Sequence, residues 1–99
     1  MYEIVSQDDQ IIVILSDSVS IANVTPLRKE LEALDQSRDL IIEASQLDYI
    51  DSSGIACLIF AYSGRAKQGA KVLLKNPSDA LMRVLDTLKF SSFFPLLDE

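Results

Sequence analysis

Residues 51–54, Asp-Ser-Ser-Gly, sit between two apolar runs in "YIDSSGIACLIF". They put a carboxylate, two hydroxyls and a glycine side by side, which suits two kinds of work. The polar side chains can satisfy the free N–H groups that open a helix. Alternatively, one hydroxyl is the chemical handle of the protein, as a nucleophile or as the acceptor of a phosphoryl group.

The residues that are missing weaken the nucleophile reading. The chain has no histidine, so it lacks the usual general base near neutral pH and the commonest metal ligand. No Ser–His–Asp or Cys–His set can be assembled, and no Gly-x-Ser-x-Gly occurs. Cys57 is the single cysteine, with no base beside it, and suits space-filling better than attack. One Cys without His makes no zinc site of ordinary type. Gly54, Gly64 and Gly69 lie too far apart for either common phosphate-binding loop. The sequence therefore predicts no catalytic set, no metal and no cofactor held by this chain.

Composition narrows the class further. With 99 residues, 48% of them hydrophobic, the chain reads as one domain, 1–99, with a core of its own. Its longest apolar runs are too short to cross a bilayer, and "MYEIVSQDD" does not read as a signal peptide. No internal disulfide is possible with one cysteine, which fits a reducing compartment, and a cytoplasmic location is expected. The net charge is −6: residues 1–51 hold eleven acids against three basic residues, and residues 52–99 four against six. Such a chain is a poor nucleic-acid binder, because neutralising phosphates needs clustered Lys and Arg.

The elements that must position Asp51–Gly54 follow from periodicity. "EIVS" and "IIVIL", joined by "QDDQ", read as a hairpin, and the unbroken apolar run of the second strand predicts cover on both faces. "SDSVSIAN" reads as a loop. Thr25 and Pro26 look like the cap and first position of a helix carrying Leu27, Leu31 and Leu34, with Arg28 and Glu32 as a surface pair. "LIIEA" is the next strand and reaches Asp51 through the turn "SQLDYI". Ile55, Leu58, Ile59, Tyr62 and Ala66 then form the stripe of a helix starting near Ser53, with Gly69 past its end. "KVLLK" is a strand, Asn76 and Pro77 begin a helix bearing Leu81, Val84, Leu85 and Leu88, and "FFPLL" is a last short edge strand. The order β-β-α-β-α-β-α-β describes an α/β domain with a mixed, mostly parallel sheet of four to five strands and three helices.

In that setting Asp51 and Ser52 are both candidate helix caps, and Gly54 would let the backbone pass close to the neighbouring strand. The same geometry also puts Ser52 at the carboxyl end of the sheet and at the positive end of a helix. Phosphorylation there adds about −1.5 to −2 charges. The helix tolerates that charge, whereas a partner docked against it does not. Opposite the buried stripe lie Ala56, Cys57, Phe60, Ala61 and Gly64, small or apolar where a solvated helix carries charges. Either the helix is buried on both sides or this face docks a partner.

"LIIEASQLDYIDSSGIACLIF" resembles the signature of STAS domains, as found in anti-sigma factor antagonists and related partner-switching proteins, and the likeness continues through "GAKVLLKNPSDALMRVLDTLKFSSFF". The resemblance implies a STAS-like fold and a binding switch, not an enzyme. Ser52 is then the residue phosphorylated by a serine kinase that is also the anti-sigma factor. The unphosphorylated chain binds that kinase, and a PP2C-type phosphatase resets Ser52. Asp51 would hold the loop and position the serine, and ATP belongs to the kinase. The docking surface would comprise Asp51, Ser52, Ser53, Gly54, Ala56, Cys57 and Phe60, with Asp17 and Ser20 from the loop after the second strand. In that loop Asp17 and Ser20 replace the family's usual glycine and acidic residue, and Ala56 replaces a familiar glycine. A rival within the same resemblance is a STAS subunit bound to the ATPase of a lipid-transport ABC complex; such chains tend to carry Thr and Gly where this one has Ser52 and Ser53. Neither reading expects the chain itself to insert into a membrane.

Overall fold

The computed structural model describes residues 2–7 and 9–97. Strand β1 (Tyr2–Ser6) pairs antiparallel with β2 (Gln10–Val19). Helix α1 (Val24–Ala33) leads to β3 (Asp39–Ile50), α2 (Ser52–Lys67), β4 (Val72–Lys75), α3 (Asp79–Thr87) and a 3₁₀ turn at Ser91–Phe93. The sheet order is β1-β2-β3-β4, with β2, β3 and β4 mutually parallel. This is the expected mixed sheet with three helices, and it has four strands.

The predicted fifth strand is reduced to one parallel bridge between Leu96 and Leu74. Leu74 donates its N–H to the Pro95 carbonyl at 2.8 Å and accepts from Leu97 N–H at 2.7 Å. Pro95 has no N–H to extend the ladder, and Phe94, 2% exposed, turns into the core.

All three helices feed one core. Leu27 and Leu31 of α1, Ile55 and Leu58 of α2, and Leu81 and Leu85 of α3 close over Val13, Leu15, Leu40 and Ile42. The run Ile11–Leu15 is therefore covered on one face only. Ile11, Val13 and Leu15 are buried, while Ile12 and Ile14 are half-buried on the other face. The expectation of cover on both sides fails because the helices all lie on one side.

Three local readings are also corrected. β2 and β3 run on through "SDSV" and "SQLDYI" as a two-stranded ribbon, with register shifts at Ile14/Ser16 and Asp17/Ser18 and Asp17 at φ 60°. Helix α1 begins at Val24, so Thr25 is not its cap. Asn23 precedes it, but its side chain turns back, accepting from Ser20 N–H at 2.9 Å and donating to the Ser18 carbonyl at 3.0 Å. Pro26 falls within the first turn, where a missing N–H costs nothing. Ser78, not Asn76, caps α3, accepting from Leu81 N–H at 3.2 Å. Gly69, at φ 76°, ends α2 as its spacing predicted.

Candidate partner-docking site

The site is built where β3 becomes α2. Val19 and Ile50 pair at the end of the parallel ladder, and Asp51 N–H extends it to the Val19 carbonyl at 3.2 Å. Asp51 then leaves the strand in extended conformation (φ −107°, ψ −174°) and caps α2. Its Oδ1 accepts from Ser53 N–H at 2.9 Å and Gly54 N–H at 3.2 Å. Its Oδ2 accepts from Ile21 N–H, in the β2–α1 loop, at 3.1 Å. One carboxylate thus holds two segments thirty residues apart. The Ile21 amide does most to hold the Asp51 carboxyl below its ordinary range, with the Gly54 and Ser53 amides adding to it.

The glycine is required by crowding. A Cβ at position 54 would sit 2.6 Å from Ile50 Cγ1 and 2.9 Å from the Val19 carbonyl oxygen. Only a bare Cα lets α2 start this close to the end of the β2–β3 ladder.

Ser52 is the first residue of α2 and is exposed, and its hydroxyl makes no hydrogen bond to another described residue. Asp51 has done the capping, so the Ser52 side chain is not needed for it. Nor is Asp51 placed to act as a base toward Ser52, because its oxygens are committed to three amides and its proton affinity is lowered.

Two grooves flank this corner. One, of ≈ 490 Å³, lies between α1 and α2 and is lined by Ile21, Arg28, Ser53, Ala56 and Phe60 among others. The other, of ≈ 380 Å³, runs from Ser52 along Ile55, Ile59 and Phe60 to Leu88 and Phe90. Phe60, 52% exposed, is the ridge between them and lies 5.2 Å from the Arg28 guanidinium carbon. Arg28 is also paired with Glu32 at 3.0 Å, as the helical spacing predicted.

The candidate residues thus separate by position. Asp51, Ser52, Ser53 and Gly54 form the corner itself, and Ala56 and Phe60 are exposed beside it. Cys57, expected on the same face, is 4% exposed and packs inward, and burial pushes its thiol up to about 11. Ala61 is also buried, so the second face of α2 is divided. Cys57 and Ala61 turn inward while Ala56 and Phe60 stay open. Ser20 is brought close through its loop, since the next residue, Ile21, donates to Asp51. Asp17 is not brought to the serines; it pairs with Leu47, further back on the ribbon. Ile21, 74% exposed, was missed, although an isoleucine inside the polar run "SDSVSIAN" was a readable signal.

A four-stranded mixed sheet with three helices on one side, one of them capped by Asp51 and opening on an exposed serine, defines a small single α/β domain. The STAS domain model matches residues 1–99, and the chain belongs to that family. The anti-sigma-B factor antagonist of Bacillus subtilis (strain 168) is 27% identical over 85 residues, which are 85% of this chain and 78% of that protein. Among solved structures, the unphosphorylated anti-sigma factor antagonist SpoIIAA superposes with a TM-score of 0.86 at 14% identity, covering 100% of this chain and 90% of that one. The phosphorylated Bacillus SpoIIAA gives 0.79 at 16% identity, with 100% and 93% covered. A putative anti-sigma factor antagonist from Thermotoga maritima gives 0.83 at 19% identity, with 100% and 86% covered. At these identities the structures speak to the fold. Among the described residues no helix is long and apolar enough to cross a membrane.

Proposed function

We propose that this chain is an anti-sigma factor antagonist-type binding switch of the reducing cytoplasm. Unphosphorylated, it binds a serine kinase that is also an anti-sigma factor; phosphorylation of Ser52 releases it, and a PP2C-type phosphatase restores it. The observation that carries this reading is the exposed Ser52 hydroxyl, without a hydrogen bond to any other described residue, at the first position of α2 and on the lining of an apolar groove.

The physical argument is one of unequal cost. The positive end of α2 favours an added dianion in the free protein. A partner seated against Ile59, Phe60 and Leu88 must strip water from the same corner, and burying an unpaired phosphate there is expensive. Phosphorylation then changes who can dock without changing the fold. Asp51, Ser53 and Gly54 hold the geometry, while Ala56, Phe60 and the Ser20–Ile21 loop supply contact surface.

The test is a pull-down from native cytosol with wild type, Ser52→Ala and Ser52→Asp, together with phosphorylation by any kinase recovered. The reading expects ATP-dependent phosphate on Ser52 by mass spectrometry, none on Ser52→Ala, and loss of kinase binding by a fully folded Ser52→Asp. Recovery of a membrane ABC ATPase whatever residue stands at 52 replaces it with the lipid-transport reading.

A further inference from the structure

The side of the sheet away from the helices carries an ordered pattern of its own. Ladder register aligns Val5, Ile12, Ile41 and Leu73 in one row across all four strands. The next row is Glu3, Ile14, Glu43 and Lys75. Ile41 is 5% exposed yet stands outside the contiguous core, which takes its neighbours Leu40 and Ile42 toward the helices. Val5, Ile12, Ile14 and Leu73 are half-buried. Parallel strands such as β2–β4 are normally covered on both faces, and here all three helices cover one.

We propose that a second copy of this chain covers this face, sheet against sheet. A two-fold axis between the sheets, running along the strands, lays β1 of one copy over β4 of the other and β2 over β3. Val5 then meets the second copy's Leu73, and Ile12 meets its Ile41, so the apolar row is complementary to itself. In the charged row Glu3 meets Lys75, twice by symmetry. Ile14 lies against the stem of Glu43, whose carboxylate is turned aside onto Ser45 N–H at 2.9 Å. The apolar row is three strand spacings wide, roughly 14 Å. The contact is thus smaller than the roughly 800 Å² per partner of a standard interface, in the size class of transient, exchanging associations. The helix side, with Ser52, stays open in this dimer.

Charge reversal tests the pairing directly. Glu3→Lys and Lys75→Glu each turn both Glu3–Lys75 contacts repulsive in their own dimers, whereas a mixture of the two variants restores both. Sedimentation equilibrium across a wide concentration range should show wild type in monomer–dimer exchange. Each variant alone should dissociate at least tenfold more readily, and the equimolar mixture should recover to near the wild-type value. Circular dichroism melts of each variant check folding. Should either variant fail to fold, methyl spectra of the wild type against concentration decide, with shifts at Val5, Ile12, Ile14, Ile41 and Leu73 expected. A wild type monomeric throughout, a mixture no tighter than its components, or shifts centred on α2 instead would each overturn the proposal.

Discussion

Replacing Gly54 with alanine is a severe test of how the docking corner is built, because propensity and packing predict opposite signs. Within a helix Ala is preferred over Gly by about 1 kcal/mol. Against that, the new methyl would lie 2.6 Å from Ile50 Cγ1, where carbon atoms prefer about 3.5–4.0 Å. Ile50 is 4% exposed and has little room to yield, and the second obstacle, the Val19 oxygen at 2.9 Å, is backbone. Overpacking that forces a neighbour off its rotamer costs about 1–3 kcal/mol, and with a backbone atom as the second obstacle the upper half of that range applies. The net expectation is a loss of about 1–2 kcal/mol, at about 4–8 °C of melting temperature per kcal/mol for a domain of this size. Because Val19 O also accepts the Asp51 N–H, relief of the clash stretches the ladder end on which Asp51 rides. Urea denaturation followed by circular dichroism measures the loss. Hydrogen exchange should show faster opening at the Asp51 and Ile21 amides than at core amides of β3. A Gly54→Ala protein as stable as wild type, or more so, would refute the account of why glycine stands there.

The other expectations follow from individual contacts. Asp51→Asn should expose the Ile21 amide to faster hydrogen exchange at neutral pH, because an amide side chain cannot present acceptors to both segments. The folded Asp51 carboxyl lies below its ordinary 3.8, so its contribution is complete above that value and is lost as pH falls through the lowered one. The stability gap between wild type and Asp51→Asn should accordingly narrow only in acid, and a gap independent of pH down to 2 would contradict the clamp. Gln36→Ala should cost about 1–3 kcal/mol by urea denaturation. Gln36 Oε1 accepts from Arg65 Nη1 at 2.9 Å, and Arg65 is fully buried with its Nη2 already unpartnered; adding Arg65→Met should recover part of the loss. Cys57, buried and with its thiol near 11, should react with alkylating reagents only as the fold opens, so labelling at the rate of a free thiol would contradict its position. Ser52→Ala should change stability by no more than about 0.5 kcal/mol in the same denaturation assay.

Much of the architecture was legible because its signals are local. The spacing of Leu27 and Leu31, the stripe Ile55–Leu58–Ile59–Tyr62 and the terminating Gly69 each depend on neighbours within a turn or two. The failures fall where a distant contact overrides local preference. "SDSV" and "SQLDYI" look like loops because bulges break their alternation and the ribbon they form continues beyond the short β4, with Ser45, Gln46, Asp48 and Tyr49 exposed. Thr25 has the type of a cap, but the Ser20–Asn23 turn, held by Asn23 against Ser18 and Ser20, starts α1 one residue before it, at Val24. Ser78 outcompetes Asn76 because its N–H is pinned to the Ala44 carbonyl at 3.0 Å, which sets where α3 can begin. At the site, Asp51 as a cap was readable from its place before a helix. Its bond to Ile21 was not, since nothing in either segment encodes a partner thirty residues away.

That long-range bond explains how the fold can keep an exposed serine without a capping duty so close to its core. Had serine been the cap, its hydroxyl would be committed to the helix, at about 1 kcal/mol when removed, and any modification would compete with folding. Here aspartate takes the cap and uses its second oxygen to fix the Ile21 loop, leaving the next side chain with no structural duty. Ser52 can therefore change charge while the helix start, the loop and the glycine contact stay in place. Ser52 lines one groove with Phe60, 52% exposed, and Ile21, 74% exposed, lines the groove on the other side of Phe60. Under the proposed switch, stability and recognition fall to adjacent residues, and phosphorylation of Ser52 would act on binding alone.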